Sequence, residues 1–492
     1  MFWQSKLTVP LFRPQVHFVF QSMNVRFTVM LALILSLTFA MAIPVSALAQ
    51  KAPDGKSGAT AHEDLFRNKQ FPSAFECEVC HPVQFRQWSV SHHAYGNLSP
   101  FFTSVENAIL SKTNGTSADT CSRCHAPLSA VLKTMQISNV KRQQFAQAGE
   151  DFLGPVVEGI TCVVCHRFDK RYGKRSARSL ITQGDIFAPI FGPTNNDIQA
   201  ETEKDSRLNL VTERGKKGRA IHKVVEPYPF LRASRFCGNC HSSRLPTGVH
   251  NEETFDEYRT SQSAKDGVTC QDCHMGKVPG ENKGFDFAPA AVIGKTETKP
   301  RRLSNHYFAG PDFSVLHPGI FPHNPDAVQL ASYAQWLEFD HKKGWGTDEF
   351  EDNVADDHKF PKHWEDQDLR YEAREILEAN FELMDWAKDQ RKTLMLAGYK
   401  VDDVVMNKPS MSDGLNFKIK LRNAVLGNNA PSGFIHERMI FFQVTVKDGQ
   451  GNTVFKSGDR DPNGDLRERY SRYVRNGEMK YDKQLFNLMS HF

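Results

Sequence analysis

The chain has 492 residues, with 61 Lys and Arg against 57 Asp and Glu and a hydrophobic share of 40%. That length accommodates two or three domains, and a charge so close to balance leaves no electrostatic footprint for nucleic acid. The strongest bias lies in the cysteines: all ten stand in five C-x-x-C-H pentapeptides, with none left over.

In chain order, Arg26 precedes an apolar run from Phe27 to Val45, broken late by Pro44, and Ala47-Leu48-Ala49 offers small residues where a signal peptidase cleaves. Residues 1–49 read as a signal peptide, and Met23-Asn24-Val25-Arg26 would make a good charged opening of its own. The competing reading is an uncleaved anchor, because the run approaches the roughly 20 residues of a spanning helix. No cysteine follows the run directly, so a lipid anchor is not expected. Either way the bulk of the chain is expected in the periplasm or at the cell surface. Removing the three basic side chains of residues 1–49 leaves 58 basic against 57 acidic.

Residues 50–325 carry all the motifs: Cys77/Cys80/His81, Cys121/Cys124/His125, Cys162/Cys165/His166, Cys237/Cys240/His241 and Cys270/Cys273/His274. C-x-x-C-H is the attachment signature of c-type haem. Two thiols three positions apart reach the two vinyl groups of one porphyrin, and the next imidazole then meets the iron as proximal ligand. Zinc sites also use C-x-x-C, but they close as four-ligand clusters, which pair such motifs, and five is odd. A thioredoxin-like redox pair explains one copy and needs no histidine. Five covalently bound haems c are therefore expected, each held by one of these pairs of thiols and its histidine. The motif starts are 44, 41, 75 and 33 residues apart, an irregular array with no single repeat period. The segment is loop-rich and short of apolar periodicity, so the porphyrins are expected to serve as its core. Ten propionates shift the effective charge to the acidic side, and the basic cluster Arg171, Lys174, Arg175 and Arg178 reads as a solvated loop or a propionate partner.

Residues 326–400 read as a helical segment. A helix is expected from Asp326 to Phe339, a charged loop from Asp340 to His363, and a long helix from Glu365 to Ala397 whose Leu369, Ala373, Ile376, Leu377, Phe381 and Met384 recur at helical spacing. Residues 401–492 read as a small antiparallel β domain. Leu415, Phe417, Ile419 and Leu421 alternate with polar residues, Met439 to Lys447 is a second strand, and Asp448-Gly449-Gln450-Gly451-Asn452 turns into a third at Thr453. So few strands make a marginal sheet, and part of this domain is expected to be missing or supplied elsewhere. The fold class is thus a mainly α and irregular multihaem domain with little regular structure, then a helical segment, then the β domain.

The stretch from Cys77 to Ala94, C-E-V-C-H-P-V-Q-F-R-Q-W-S-V-S-H-H-A, resembles the first haem segment of the multihaem group that includes the tetrahaem electron carrier of ammonia oxidisers, hydroxylamine oxidoreductase and octahaem reductases. Phe236 to His241, Gly267 to Met275 and Asn305 to Gly310 are similar to further signatures of that group. Asn429-Ala430-Pro431-Ser432-Gly433 resembles its G-H-x-x-P-T-G turn without the histidine. The resemblance implies a distal haem ligand five positions after Trp88, which is His93, with His92 as its competitor. It also implies His222, fifteen residues before Cys237, and His306. His62, fifteen residues before Cys77, is a fourth candidate, and His250, His317 and His323 compete for the fifth.

Two functions follow. Five bis-histidine haems would be closed at both axial positions and would only pass electrons between redox partner proteins, one of which could be membrane-bound, and such a chain could also self-associate. One open haem would make an oxidoreductase acting on a small nitrogen or sulfur compound. No C-x-x-C-K motif is present, which favours the carrier over a lysine-ligated nitrite reductase. A filament-forming extracellular cytochrome is the third alternative.

Overall fold

Each C-x-x-C-H motif folds as about one helical turn, which suffices to place both sulfurs and the imidazole on one side of a peptide loop. The computed structural model describes residues 71–117, 120–131, 157–168, 176–177, 181–245, 248–406, 416–435 and 438–488. The expected signal peptide, His62 and the basic cluster at 171–178 lie outside these residues, apart from Ser176 and Ala177. The described elements belong to the unit Phe66–Phe492.

The first motif spans α1 (Ala74–Glu78) and the start of α2 (Pro82–Ser89). Ser73 caps α1 in a capping box with Glu76, and Pro82 opens α2, where a missing N–H costs nothing. Next come α3 (His92–Tyr95), capped by Ser91, and α4 (Pro100–Lys112), capped by Ser99. The second, third and fifth motifs lie on α5 (Ser122–His125), α6 (Cys162–His166) and α8 (Cys270–His274), while the fourth begins on the last residue of α7 (Ser234–Cys237) and continues as a turn. Between them, β1 (Ile190–Gly192) pairs in parallel with β2 (Val225–Pro227), and β3 (Asp286–Pro289) pairs antiparallel with β4 (Pro300–Leu303). These ribbons are too small to hold a domain together. Their use is to present backbone carbonyls.

The expected helix from Asp326 to Phe339 is two helices, α9 (Pro325–Leu330) and α10 (Tyr333–Glu338). Ala331 is extended and Ser332 starts a new capping box with Gln335, a local signal that outweighs the continuous apolar pattern. The charged stretch to His363 contains short helical turns at His341–Lys343, Asp348–Glu351 and Lys362–Trp364. The long helix α11 runs from Gln367 to Gly398, capped by Asp366.

Here lies the one conventional core of any size among the described residues. Ala373, Ile376 and Leu377 of α11 pack with Ile320, Trp336, Phe339, Trp345 and Trp364, and Leu369 and Phe381 close its edge. Met384 instead joins a smaller cluster with Val90, Tyr307, Ala309 and Ala387. A buried ion pair sits beside the core: Arg370 Nε donates to Glu351 Oε1 at 2.9 Å, and Arg370 also reaches the Trp364 carbonyl at 2.7 Å.

After α11 the chain forms β5 (Tyr399–Met406), β6 (Phe417–Asn423), β7 (Ile440–Phe441), β8 (Val444–Lys447), β9 (Thr453–Ser457) and β10 (Asn487–Leu488). They pair two by two and antiparallel: β5 with β6, β8 with β9, and β7 with β10. Strand β5 is absent from the sequence reading because its register shifts between Val401 and Asp403, so its apolar residues do not alternate strictly. The strand expected over Met439 to Lys447 is interrupted between Phe441 and Val444.

Leu377 has no exposed surface and belongs to the same buried cluster as Trp336, Phe339, Trp345 and Trp364. Leu377→Ala is expected to lower unfolding stability by about 2–5 kcal/mol, read from denaturant midpoints, with the visible spectrum of the folded protein unchanged.

Candidate functional site

Of the five motif histidines, His81, His166 and His274 are half-buried and hydrogen-bond a backbone carbonyl through Nδ1, whereas His125 and His241 are exposed. His81 Nδ1 donates to the Ala290 carbonyl at 2.7 Å, His166 Nδ1 to Phe191 at 2.7 Å and His274 Nδ1 to Ala309 at 2.8 Å. The His125 ring hydrogen-bonds the Gly96 backbone. A carbonyl can only accept, so it fixes the Nδ1–H tautomer and leaves the lone pair on Nε2 for a metal. Burial holds His81, His125, His166 and His274 below the usual imidazole range, which keeps them neutral as ligands must be.

His241 differs. Its Nδ1 lies 3.9 Å from Glu252 Oε1. Burial disfavours its protonation, but Glu252 outweighs that and lifts it above the ordinary value. Glu252 is in turn fixed by Thr254, whose hydroxyl donates to Oε1 at 2.5 Å, and the Thr254 hydroxyl meets Ser432 Oγ at 2.9 Å. Ser432 Oγ also donates to Glu257 Oε2 at 2.7 Å, as does the Asn429 N–H at 2.9 Å. The Asn429–Gly433 turn thus fastens the chain beyond α11 onto the carboxylate that faces His241.

Two further imidazoles stand opposite motif histidines. The His93 and His241 rings are 6.4 Å apart between centroids, and the His166 and His306 rings 6.5 Å. Face-to-face packing would bring them closer. Two metal–nitrogen bonds of about 2 Å in line, with each ring centre about 1 Å behind its nitrogen, give about 6 Å. The spacing therefore fits an iron between each pair. His93 is half-buried with its Nδ1 shut off from solvent and without a hydrogen-bond partner, and burial together with the neighbouring His241, His92 and His125 pushes its pKa down to about 3. His306 donates its own N–H to Gln87 and hydrogen-bonds the Ser304 carbonyl through Nδ1 at 2.9 Å, and its pKa falls to about 4 through burial and His166.

His93 is placed by a close backbone approach. Its carbonyl accepts from the Ile160 N–H at 2.9 Å. A Cβ on Gly159, whose φ is +65°, would lie 2.4 Å from that carbonyl oxygen. Only glycine allows the contact.

His222 is also half-buried, with an unpartnered Nδ1 and a pKa pushed to about 4, first by burial and then by His81 and His166. The structure groups it with these two and not with His241, the histidine of the motif it precedes in sequence. His317, in contrast, has both nitrogens engaged: Nε2 meets the Phe339 carbonyl at 2.9 Å and Nδ1 accepts from the Gly319 N–H at 3.1 Å, with His341 beside it. His323 hydrogen-bonds the Ala94 carbonyl at 3.1 Å and stacks on Trp88 with 6° between the planes. His250 bonds Glu253 at 2.6 Å. His92 hydrogen-bonds the Asp312 backbone.

The motifs also meet each other. The sulfurs of Cys77 and Cys162 are close enough to influence each other, as are those of Cys124 and Cys240, and of Cys237 and Cys270. Near the first of these contacts lies Glu158, 1% exposed, which links α1 to α6: Ser73 Oγ donates to it, as do the Ala74 N–H at 2.9 Å and Thr161 Oγ1 at 2.8 Å.

Residues 76–167, which hold the first three motifs, match the family model described as cytochrome c554 and c-prime. This supports a c-type cytochrome. Its covalently bound haem c and its role in electron transfer follow from the same match. No curated protein and no solved structure matches the chain.

Two outcomes are expected of this cytochrome. Glu252→Gln removes the anion facing His241 and should raise the reduction potential of one haem while leaving the others in place, read by spectroelectrochemical titration. Burial raises the Glu158 carboxyl from 4.5 to about 7. A pKa raised on folding gives a contribution that is present below about 4.5 and is lost as pH rises through about 7. The melting temperature of Glu158→Gln minus that of the unaltered protein should therefore increase from pH 4.5 to pH 8.

Proposed function

We propose that the chain is an exported pentahaem cytochrome c that passes electrons between redox partners, one of them membrane-bound, through haems mostly closed on both faces by histidine. The observation that carries this reading is the pairing of imidazoles with ring centres 6.4 and 6.5 Å apart, His93 with His241 and His166 with His306. We assign His222 to His81 from its unpartnered buried Nδ1 and its closeness in charge influence to His81. His62 remains a candidate for one of the other two positions. His317 is not retained, because the Phe339 carbonyl and the Gly319 N–H occupy its nitrogens.

Haem c, when bound, supplies one-electron iron chemistry. The chain's own part is to hold and to insulate. Ten thiols would fix the cofactors, the Nδ1 anchors of His81, His166 and His274 would orient those proximal imidazoles, and His93, His306 and His222 would close the second face of three haems. The proximity of Cys77 to Cys162, of Cys124 to Cys240 and of Cys237 to Cys270 brings together motifs that are distant in sequence. This proximity supports a branched order in which the fourth motif neighbours both the second and the fifth. Membership of the group with the tetrahaem carrier of ammonia oxidisers rests on the same motifs.

Electron paramagnetic resonance of the oxidised protein, with haem counted by intact mass, tests this. Five haems and no integrated high-spin ferric signal are expected. One equivalent of high-spin iron would overturn the closed-carrier reading and direct attention to small nitrogen and sulfur compounds as substrates.

A further inference from the structure

The arginines around the first and third motifs have a use that neither the fold nor the histidine pairing explains. Arg301 stands on β4, whose partner β3 leads directly into Ala290, the carbonyl that anchors His81. Its side chain reaches across to Thr194, just beyond β1, whose Phe191 carbonyl anchors His166. The guanidinium thus spans the two backbone segments that hold these imidazoles, and it lies close enough to depress the pKa of both.

It is poorly satisfied there. Of its five donors, one makes a hydrogen bond, a long one of 3.4 Å to Thr194 Oγ1. Among the described residues no carboxylate pairs with it. Its nearest charged influence is Arg232, an exposed cation that works with burial to lower the pKa of Arg301 and of Arg302. Arg302 lies over the Phe285 ring and 3.9 Å from Asp272, so only one of the three cations has a partial anion partner. A half-buried guanidinium facing a second cation without an anion is an unfavourable arrangement. A planar fork of this kind matches a two-oxygen anion.

We propose that Arg301, with Arg232 beside it, holds a carboxylate or small oxyanion next to His81 and His166. The anion has two sources of the same chemistry: a propionate of a haem attached at Cys77 and Cys80 or at Cys162 and Cys165, or a free oxyanion from solution. This rests on the haem reading above, and the two are separable. Absence of five haem masses would sink that reading, whereas unchanged potentials in a fully loaded variant would sink this one.

The experiment is a spectroelectrochemical titration of the full, haem-loaded protein and of Arg301→Gln, each with and without acetate or inorganic phosphate at constant ionic strength. Loss of a cation beside the iron favours the ferric state. One haem of the variant should shift downward by about tenfold in its reduction equilibrium, about 59 mV for one electron. If the unaltered protein ignores added acetate and phosphate, the anion is a propionate. If its potential moves saturably with either and Arg301→Gln abolishes that response, the anion is free. Potentials in Arg301→Gln that match the unaltered protein, with no anion response in either, overturn the proposal. Should Arg301→Gln fail to mature, Arg232→Gln at its exposed position is read in the same way: a smaller downward shift of the same haem supports the site, and no shift overturns it.

Discussion

An imidazole has two nitrogens, and a buried one that binds iron through the first needs a fixed partner for the second. In this chain that requirement organises the region before α9. The acceptors for His81, His166 and His274 are carbonyls at Ala290, Phe191 and Ala309, and they explain why short ribbons are placed where they are. Strands β1 and β3 are too small to contribute a sheet core, but each ends in or next to a carbonyl aimed at a motif histidine. The clusters around Phe85 and Trp88, and around Leu128 and Val163, are small in comparison with the core built on α11. On the function proposed above, a segment so poor in side-chain core would depend on its prosthetic groups for burial.

Local signals carried much of this in the sequence. The five motifs, the long helix and strand β6 are legible because each is written in contiguous residues: a pentapeptide, a 3.6-residue period, a two-residue alternation. The break at Ser332 was legible too, as S-x-x-Q, but the apolar pattern around it was stronger. What could not be read was anything set by distance along the chain. His81 finds its acceptor 209 residues away, and no pattern in the sequence announces that Ala290 will be the carbonyl. The same holds for the histidine pairs. His317 and His306 look alike in sequence, and only the structure shows that one has spent both nitrogens on the backbone while the other faces His166. Glu252 likewise drew no notice, since an isolated acidic residue carries no signal until His241 stands beside it.

The chain beyond α11 is tied in by polar contacts and not by burial. Strands β5 and β6 leave Val401, Val404, Met406 and Leu421 largely exposed. In contrast, the Asn429–Gly433 turn spends three hydrogen bonds on Thr254 and Glu257. Its position against the residues that support Glu252 makes the last part of the chain a neighbour of the one motif histidine with an anionic partner. Arg438 adds a second tie, an ion pair to Asp312.

The segment from Asn305 to Ala309 serves several sites at once. His306 faces His166, Phe308 packs 4.3 Å from the His93 ring, and the Ala309 carbonyl receives His274. Between them, the Tyr307 hydroxyl donates to the Ala387 carbonyl of α11 at 3.0 Å, in the interior. A distal imidazole on a free loop could swing away in microseconds and admit cyanide or carbon monoxide. His306 is less free: displacing it pulls on Tyr307, whose hydroxyl is bonded to the 32-residue helix α11. On the function proposed above, exchange at His306 would be coupled to local opening of the Tyr307 contact with α11 and would not be set by the iron–nitrogen bond alone.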